Sequence, residues 1–138
     1  MALTAKRSTA ATKAAIEAMG ALLNTGYLRI YDGTQPTDGN TALGAQHLLA
    51  ELRFAATAFG TASAGVITAA AIASATAAYS ATATWFRCLK SGGVDVTDNV
   101  YDGSVGTTGC DLNLGTAAIV SGATVSVTAL TLTEVAAE

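Results

Sequence analysis

The stretch LLAELRF, residues 48–54, alternates: Leu48, Ala50, Leu52 and Phe54 fall on one side, Glu51 and Arg53 on the other. A period of two over this length marks a half-buried β-strand, because successive side chains of a strand point to opposite faces. The same period runs through YLRIYD (27–32). Further candidates are GVITAAAI (65–72), ATATWFRCLK (81–90), VYDGSV (100–105), CDLNL (110–114) and ATVSVTALTLTEV (123–135), with breaks such as Ser91-Gly92-Gly93 between them. Pro36 falls in a loop, where it interrupts no ladder. About seven strands spaced in this way predict a mainly β fold, an antiparallel β-sandwich or barrel.

A helical period occurs only before Tyr27. Ser8 or Thr9 can cap AATKAAIEAMGALLNTG (10–26), in which Ala15, Met19 and Leu22 form one stripe with Ile16 and Leu23 beside it. Asn24 and Gly26 suit the left-handed residue that closes a helix, and Gly20 inside it weakens it by about 1 kcal/mol relative to alanine. Such a helix needs a surface to dock on. Charge divides the chain at the same place: Lys6, Arg7, Lys13 and Glu17 make residues 1–26 net +2, which leaves −5 of the overall −3 on the rest. Residues 1–26 therefore read as an N-terminal arm and helix, and 27–138 as a single β domain. The arm is expected to contact a neighbouring subunit through Lys6, Arg7, Lys13, Ile16, Met19, Leu22 and Leu23.

Composition excludes several roles. Ala, Thr and Gly fill almost half of the 138 positions, so small side chains dominate and backbones can approach closely. Seven basic residues in an acidic chain give no footprint for nucleic acid. Residues 54–86 between Phe54 and Phe86 carry no charge, but their many hydroxyls and few branched aliphatics favour strands over a membrane span. The N-terminus lacks the leucine-rich core of a signal peptide, so synthesis inside the cell is expected.

The triplet Tyr-Asp-Gly occurs at 31–33 and again at 101–103. Both copies read as strand-end turns, with Asp bonding its own following backbone and Gly taking a positive φ. Asp32 and Asp102 are then scaffolding rather than a working carboxylate pair. Asp38, Asp95, Asp98 and Asp111 sit in similar turns; Asp95, Asp98 and Asp102 have oxygen enough for calcium but lack the spacing of an EF-hand loop. His47 stands alone at a strand entrance, with no serine or cysteine motif around it. Cys88 and Cys110 are too few for a zinc site and read as reduced, buried thiols in strands. No metal, no cofactor and no enzymatic activity are expected. For recognition, Trp85 and Phe86 point to opposite faces, one into the core and the other under a loop or partner; Tyr27 and Tyr31 flank Arg29 and either cover the seam to the helix or form an outward binding stripe.

Taken in order, GYLRIYDGTQPTDGNTALGAQHLLAELRF, TATWFRCLKSGG, YDGSVGTTGCDLNL and ATVSVTALTLTEV resemble a family of small tailed-phage virion proteins, whose members share an N-G-x-x-x-I-Y-x-G-x-Q-P stretch, an LLA strand, a WFR strand and a DGSVGTSGADLNL segment. The resemblance covers about residues 20–135; Cys110 replaces the usual alanine, and the first 19 residues lie outside it. It implies a virion structural protein made in the host cytoplasm. The best-fitting role is an auxiliary (cement or decoration) protein that binds the major capsid protein or other virion subunits, as a homo-oligomer and with no membrane partner. A neck or tail component is the alternative within the virion; a carbohydrate-binding adhesion module using Trp85 or the tyrosines is the alternative outside that class.

Overall fold

The computed structural model describes residues 6–133, so the first five residues of the expected arm and the expected end of the last strand at Val135 lie outside the described residues. One helix, α1 (Thr9–Ala21), precedes eleven strands: β1 Tyr27–Tyr31, β2 Leu48–Arg53, β3 Val66–Thr68, β4 Ala75–Thr76, β5 Ala81–Thr82, β6 Trp85–Leu89, β7 Asn99–Gly106, β8 Leu112–Leu114, β9 Ala118–Ile119, β10 Thr124–Val125 and β11 Val127–Thr133. Seven of them form one sheet in the order β2-β1-β6-β7-β8-β11-β3, and β4–β10 and β5–β9 form two short ribbons. The mainly β, sandwich-like architecture read from the alternation is therefore present, and every strand expected from the sequence has a counterpart.

The sheet is mixed rather than purely antiparallel, because β7 and β8 run parallel with Val105 opposite Leu112. Parallel neighbours usually need a long crossover. Here the overlap is confined to two residue pairs, and a clasp closes the short loop: one Asp111 carboxylate oxygen accepts both the N–H and the hydroxyl of Ser104, each at 3.1 Å. A second departure lies in β2. Ile30 pairs with Ala50 and Tyr31 with Leu48, which leaves Leu49 as a bulge. The bulge reverses the phase, so Leu49 is fully buried and Leu48 is exposed, against the single apolar face expected from Leu48 to Phe54.

One apolar cluster joins Leu28, Ile30, Leu52, Phe86, Cys88, Leu112 and Leu132 of the large sheet, and Phe54 just after β2, to Ile16 and Leu23 of the helical segment and to Ile119 and Val125 of the ribbons. The ribbons and the helix thus close one face of the sheet. Ala77 and Ala83, from the uncharged stretch, belong to this core; no helix among the described residues is long and apolar enough to cross a membrane.

The helix departs from expectation in the face it buries. Ser8 is the N-cap, accepting the Ala11 N–H at 3.1 Å. The buried line is Ile16, Gly20 and Leu23, with Met19 partly covered, whereas Ala15 and Leu22 are exposed. Gly20 explains the rotation: a Cβ there would stand 2.7 Å from Ile67 Cδ1 and 3.2 Å from Phe59 Cβ, so glycine lets the helix lie directly on β3. Glu17 fixes it further by accepting the Ala62 N–H at 3.0 Å. The left-handed residue after the helix is Thr25, with φ 57°, while Gly26 is required for another reason: a Cβ would run into the Leu89 carbonyl oxygen. Ile16 and Leu23, expected to face another subunit, are instead enclosed by the chain's own core, because the neighbouring sheet supplies the docking surface first. Lys6, Arg7, Lys13 and Leu22 keep their exposure.

This packing makes α1 part of the folded unit. Ile16→Ala and Leu23→Ala are each expected to lower stability by about 2–5 kcal/mol in urea unfolding, the usual range for an enclosed aliphatic side chain. A loss under about 1 kcal/mol in both would mean that the helix does not hold to the sheet.

Candidate functional site

The second face of the large sheet is polar and is organised by Arg87. All five residues of β6 are buried, Phe86 and Cys88 towards the apolar core and Trp85 and Arg87 towards the other side. A buried guanidinium is costly to leave unmatched, and Arg87, fully enclosed, is matched from three segments. Asp102 on β7 receives a bidentate pair, Nε to Oδ1 and Nη2 to Oδ2, both 2.8 Å. Asp95, in the loop before β7, accepts from Nη1 at 2.7 Å, and the Thr41 carbonyl, in the loop before β2, accepts from Nη2 at 2.9 Å. Burial alone would lower the pKa of Arg87; the hydrogen bond and charge of Asp102, followed by those of Asp95, outweigh it and raise the pKa.

The two loops are also tied to each other. Asp95 Oδ2 accepts the Leu43 N–H at 3.3 Å, and the Asn99 amide donates to the Gly39 carbonyl at 3.0 Å. Burial would raise the pKa of Asp95, but the Leu43 N–H and Arg87 prevail and it lies below the ordinary value of 3.8. Beside Arg87, whose guanidinium carbon is 5.3 Å from the Trp85 ring centre, Trp85 stacks on Tyr31 at 4.6 Å and donates its indole N–H to the Asp32 carbonyl at 2.9 Å. Arg29 bridges Glu51 at 2.7 Å and the Gly93 carbonyl at 2.8 Å, and Arg53 donates to the Tyr27 hydroxyl at 2.7 Å. Tyr27 and Tyr31 therefore lie on the loop-covered face and not at the seam to α1, which rests on β3 and β11. Tyr31 and Trp85 are too buried to serve as a stacking platform.

At one corner His47 meets Asp32. The His47 backbone N–H donates to Asp32 Oδ1 at 2.5 Å, and the ring Nδ1 lies 2.9 Å from Oδ2. That backbone bond is the main reason the Asp32 carboxyl titrates below its ordinary range. On its other side His47 meets Tyr79, whose ring stacks on the imidazole at 4.2 Å, both being well exposed. No serine, threonine or cysteine among the described residues hydrogen-bonds to His47, so the pair is a carboxylate–imidazole contact at a loop base.

The two Tyr-Asp-Gly triplets separate. Asp32 and Gly33 follow the end of β1, with Gly33 at φ 74° as expected, but the Asp32 carboxylate bonds His47 across the loop and not its own following backbone. Asp102 and Gly103 lie inside β7 instead, because Asp102 is the strand partner opposite Arg87; Gly103 is needed for space, since a Cβ would stand 2.7 Å from the Phe86 ring. Asp98 accepts the Val94 N–H at 2.9 Å, and Asp38 accepts the Asn40 N–H at 2.8 Å. No group of three or more His, Cys, Asp and Glu side chains among the described residues is placed to hold a metal ion. Both cysteines are free thiols: Cys88 is fully buried, which pushes its pKa well up, while Cys110 is partly exposed in the loop before β8 rather than in a strand. A cleft of about 110 Å³ between Leu114, Thr116, Ile119, Val125 and Ser126 is far below the size of an ordinary ligand pocket.

Sequence reasoning missed Tyr79 and the joint role of Arg87, Asp95 and Asp102. Tyr79 is the only aromatic residue between Phe59 and Trp85, which is the one signal that could have drawn notice. No family model, curated protein or solved structure matches this chain.

The Arg87 cluster predicts an ordered set of losses. Asp102→Asn, which leaves the guanidinium buried with one charge partner removed, is expected to cost about 3–5 kcal/mol, and Asp95→Asn clearly less, because Asp95 is partly exposed. Asp95 has a lowered folded pKa, so its contribution is present above the ordinary 3.8 and is lost as pH falls through the lower folded value. Urea midpoints taken from pH about 5 to about 2 should fall less steeply in Asp95→Asn than in the wild type. Equal slopes would show that Asp95 carries no such linkage.

Proposed function

We propose that the chain is a structural protein of a tailed-phage virion, an auxiliary (cement or decoration) protein that binds and stabilises the capsid shell. The supporting observation is the use of its carboxylates. Asp95 and Asp102 grip Arg87, Asp32 holds the His47 loop base, Asp111 clasps Ser104, and Asp38 and Asp98 close local turns. Side chains that acid–base chemistry would use are here committed to fixing loops on a sheet. That arrangement favours a rigid surface for association, and the ordered sequence resemblance to phage virion proteins supplies the class of partner.

Since Ile16 and Leu23 are enclosed, the contact to the shell is assigned to the exposed residues of the N-terminal segment, Lys6, Arg7, Lys13 and Leu22, with Met19 at their margin. The major capsid protein is the proposed partner, met through an acidic surface. A second reading, a carbohydrate-binding adhesion module, rests on Tyr79 alone, because its exposed ring backed by His47 offers a flat face to a sugar.

Purified phage shells lacking the protein provide the test. Wild-type chain is expected to add to them and raise their resistance to heat, and a Lys6→Glu, Lys13→Glu, Leu22→Asp variant to bind about tenfold or more weakly. Tyr79→Ala should bind as the wild type does. Binding to tail tubes and never to heads would move the role to the neck or tail, and binding of soluble oligosaccharides that Tyr79→Ala abolishes, with no binding to shells, would favour the sugar-binding reading.

A further inference from the structure

The large sheet has two edges, and they are treated differently. At β3 the chain folds back over its own edge through the bridges Ser63 to Val66 and Phe59 to Ala69. At β2 it does not. The Phe54 N–H donates to the Gly26 carbonyl at 3.0 Å, so by alternation Ala50 and Leu52 also turn their backbone groups towards β1, while Glu51 and Arg53 turn theirs outward. The Leu49 carbonyl takes the Ala78 N–H at 2.7 Å; beyond it, no hydrogen bond among the described residues engages the outward backbone groups of Glu51 and Arg53. An open edge of this kind is a template for another strand unless its side chains forbid it.

Here the side chains select a partner. Glu51 and Arg53 carry opposite charges two residues apart, are both exposed and share the face that bears Arg29. We propose that β2 pairs antiparallel with β2 of a second copy of this chain, about a two-fold axis at Leu52. In that register Glu51 stands opposite Arg53 of the second copy, and Arg53 opposite its Glu51. Both are positions whose outward N–H and C=O groups exchange hydrogen bonds. The charges then alternate across the joined sheets: Arg29, already 2.7 Å from Glu51, is followed by Glu51 and by Arg53 of the second copy, and symmetry repeats the row. The register also carries Leu48 and Tyr79, large apolar side chains exposed by 37% and 42%, towards Ala55 and Ala56 of the second copy. Because Ala78 closes the edge at Leu49, the new ladder is short and the association reversible. A contact that uses one patch twice closes on itself and gives a dimer, not a fibre.

Sedimentation over a concentration series tests this on the full chain. The wild type is expected to form a reversible dimer. Arg53→Glu sets Glu against Glu and Glu51→Arg sets Arg against Arg, so each should weaken self-association by about tenfold or more. An equimolar mixture of the two variants should dimerise again, since each supplies the charges that the other lacks. A second measurement needs no variant: the wild-type amides of Glu51 and Arg53 should exchange hydrogen more slowly as concentration rises. A wild type that stays monomeric to its solubility limit overturns the proposal. So does a dimer that both variants leave intact, or exchange at Glu51 and Arg53 that is independent of concentration.

Discussion

A guanidinium placed inside a protein must be met by carboxylates and carbonyls, and in this fold the partners of Arg87 come from three separate segments. β6 lies between β1 and β7 and buries both of its faces. Phe86 and Cys88 satisfy one side by apolar contact alone. On the other side Arg87 draws in Asp102 from the neighbouring strand, Asp95 from the loop before β7 and the Thr41 carbonyl from the loop before β2. The two loops lie over the sheet because their polar groups complete the surroundings of this one charge. Trp85 and Tyr31, stacked beside it, are sealed beneath the same cover. Replacing one carboxylate therefore disturbs more than one ion pair, since the Leu43 N–H also depends on Asp95.

On the opposite face small residues decide the geometry. Gly20 brings α1 against Ile67 and Phe59, Gly26 passes the Leu89 carbonyl, and Gly103 leaves room for the Phe86 ring. The change of charge and period at Tyr27 is thus a change of local structure and not a break in packing, for Ile16 and Leu23 share a core with β1, β6 and β11. A chain so rich in alanine gains less from each buried side chain than a leucine-rich one does. At those three glycines the neighbours approach more closely than a Cβ would allow, which adds dispersion contacts there.

The alternation in residues 27–32 and 48–54 is sufficient to read β1 and β2, and GVITAAAI, TWFRCLK and CDLNL locate β3, β6 and β8, because larger apolar residues gather there beside glycine-containing breaks. β4 and β9 have two residues apiece, drawn from Ala, Thr and Ile, and no pattern marks them. The bulge at Leu49 was hidden because a bulge is a property of pairing and not of one strand. Asp102 was misplaced for a related reason: Asp before Gly favours a turn locally, and the bidentate bond to Arg87, fifteen residues away, overrides that preference and keeps the strand straight through it. His47 and Asp32 were legible as loop residues but not as partners, and Tyr79 reaches His47 from a segment with no helical or strand period of its own.

Hydrogen exchange on an Arg87→Met variant, which keeps the stem of the side chain and removes the charge, examines the central relation most directly. If Arg87 holds both loops, the Leu43, Val94 and Asp98 amides lose protection together, while those of Leu28, Ile30 and Leu52 stay protected. Protection at Leu43, Val94 and Asp98 equal to that of the wild type, in a variant that still folds, would contradict the account.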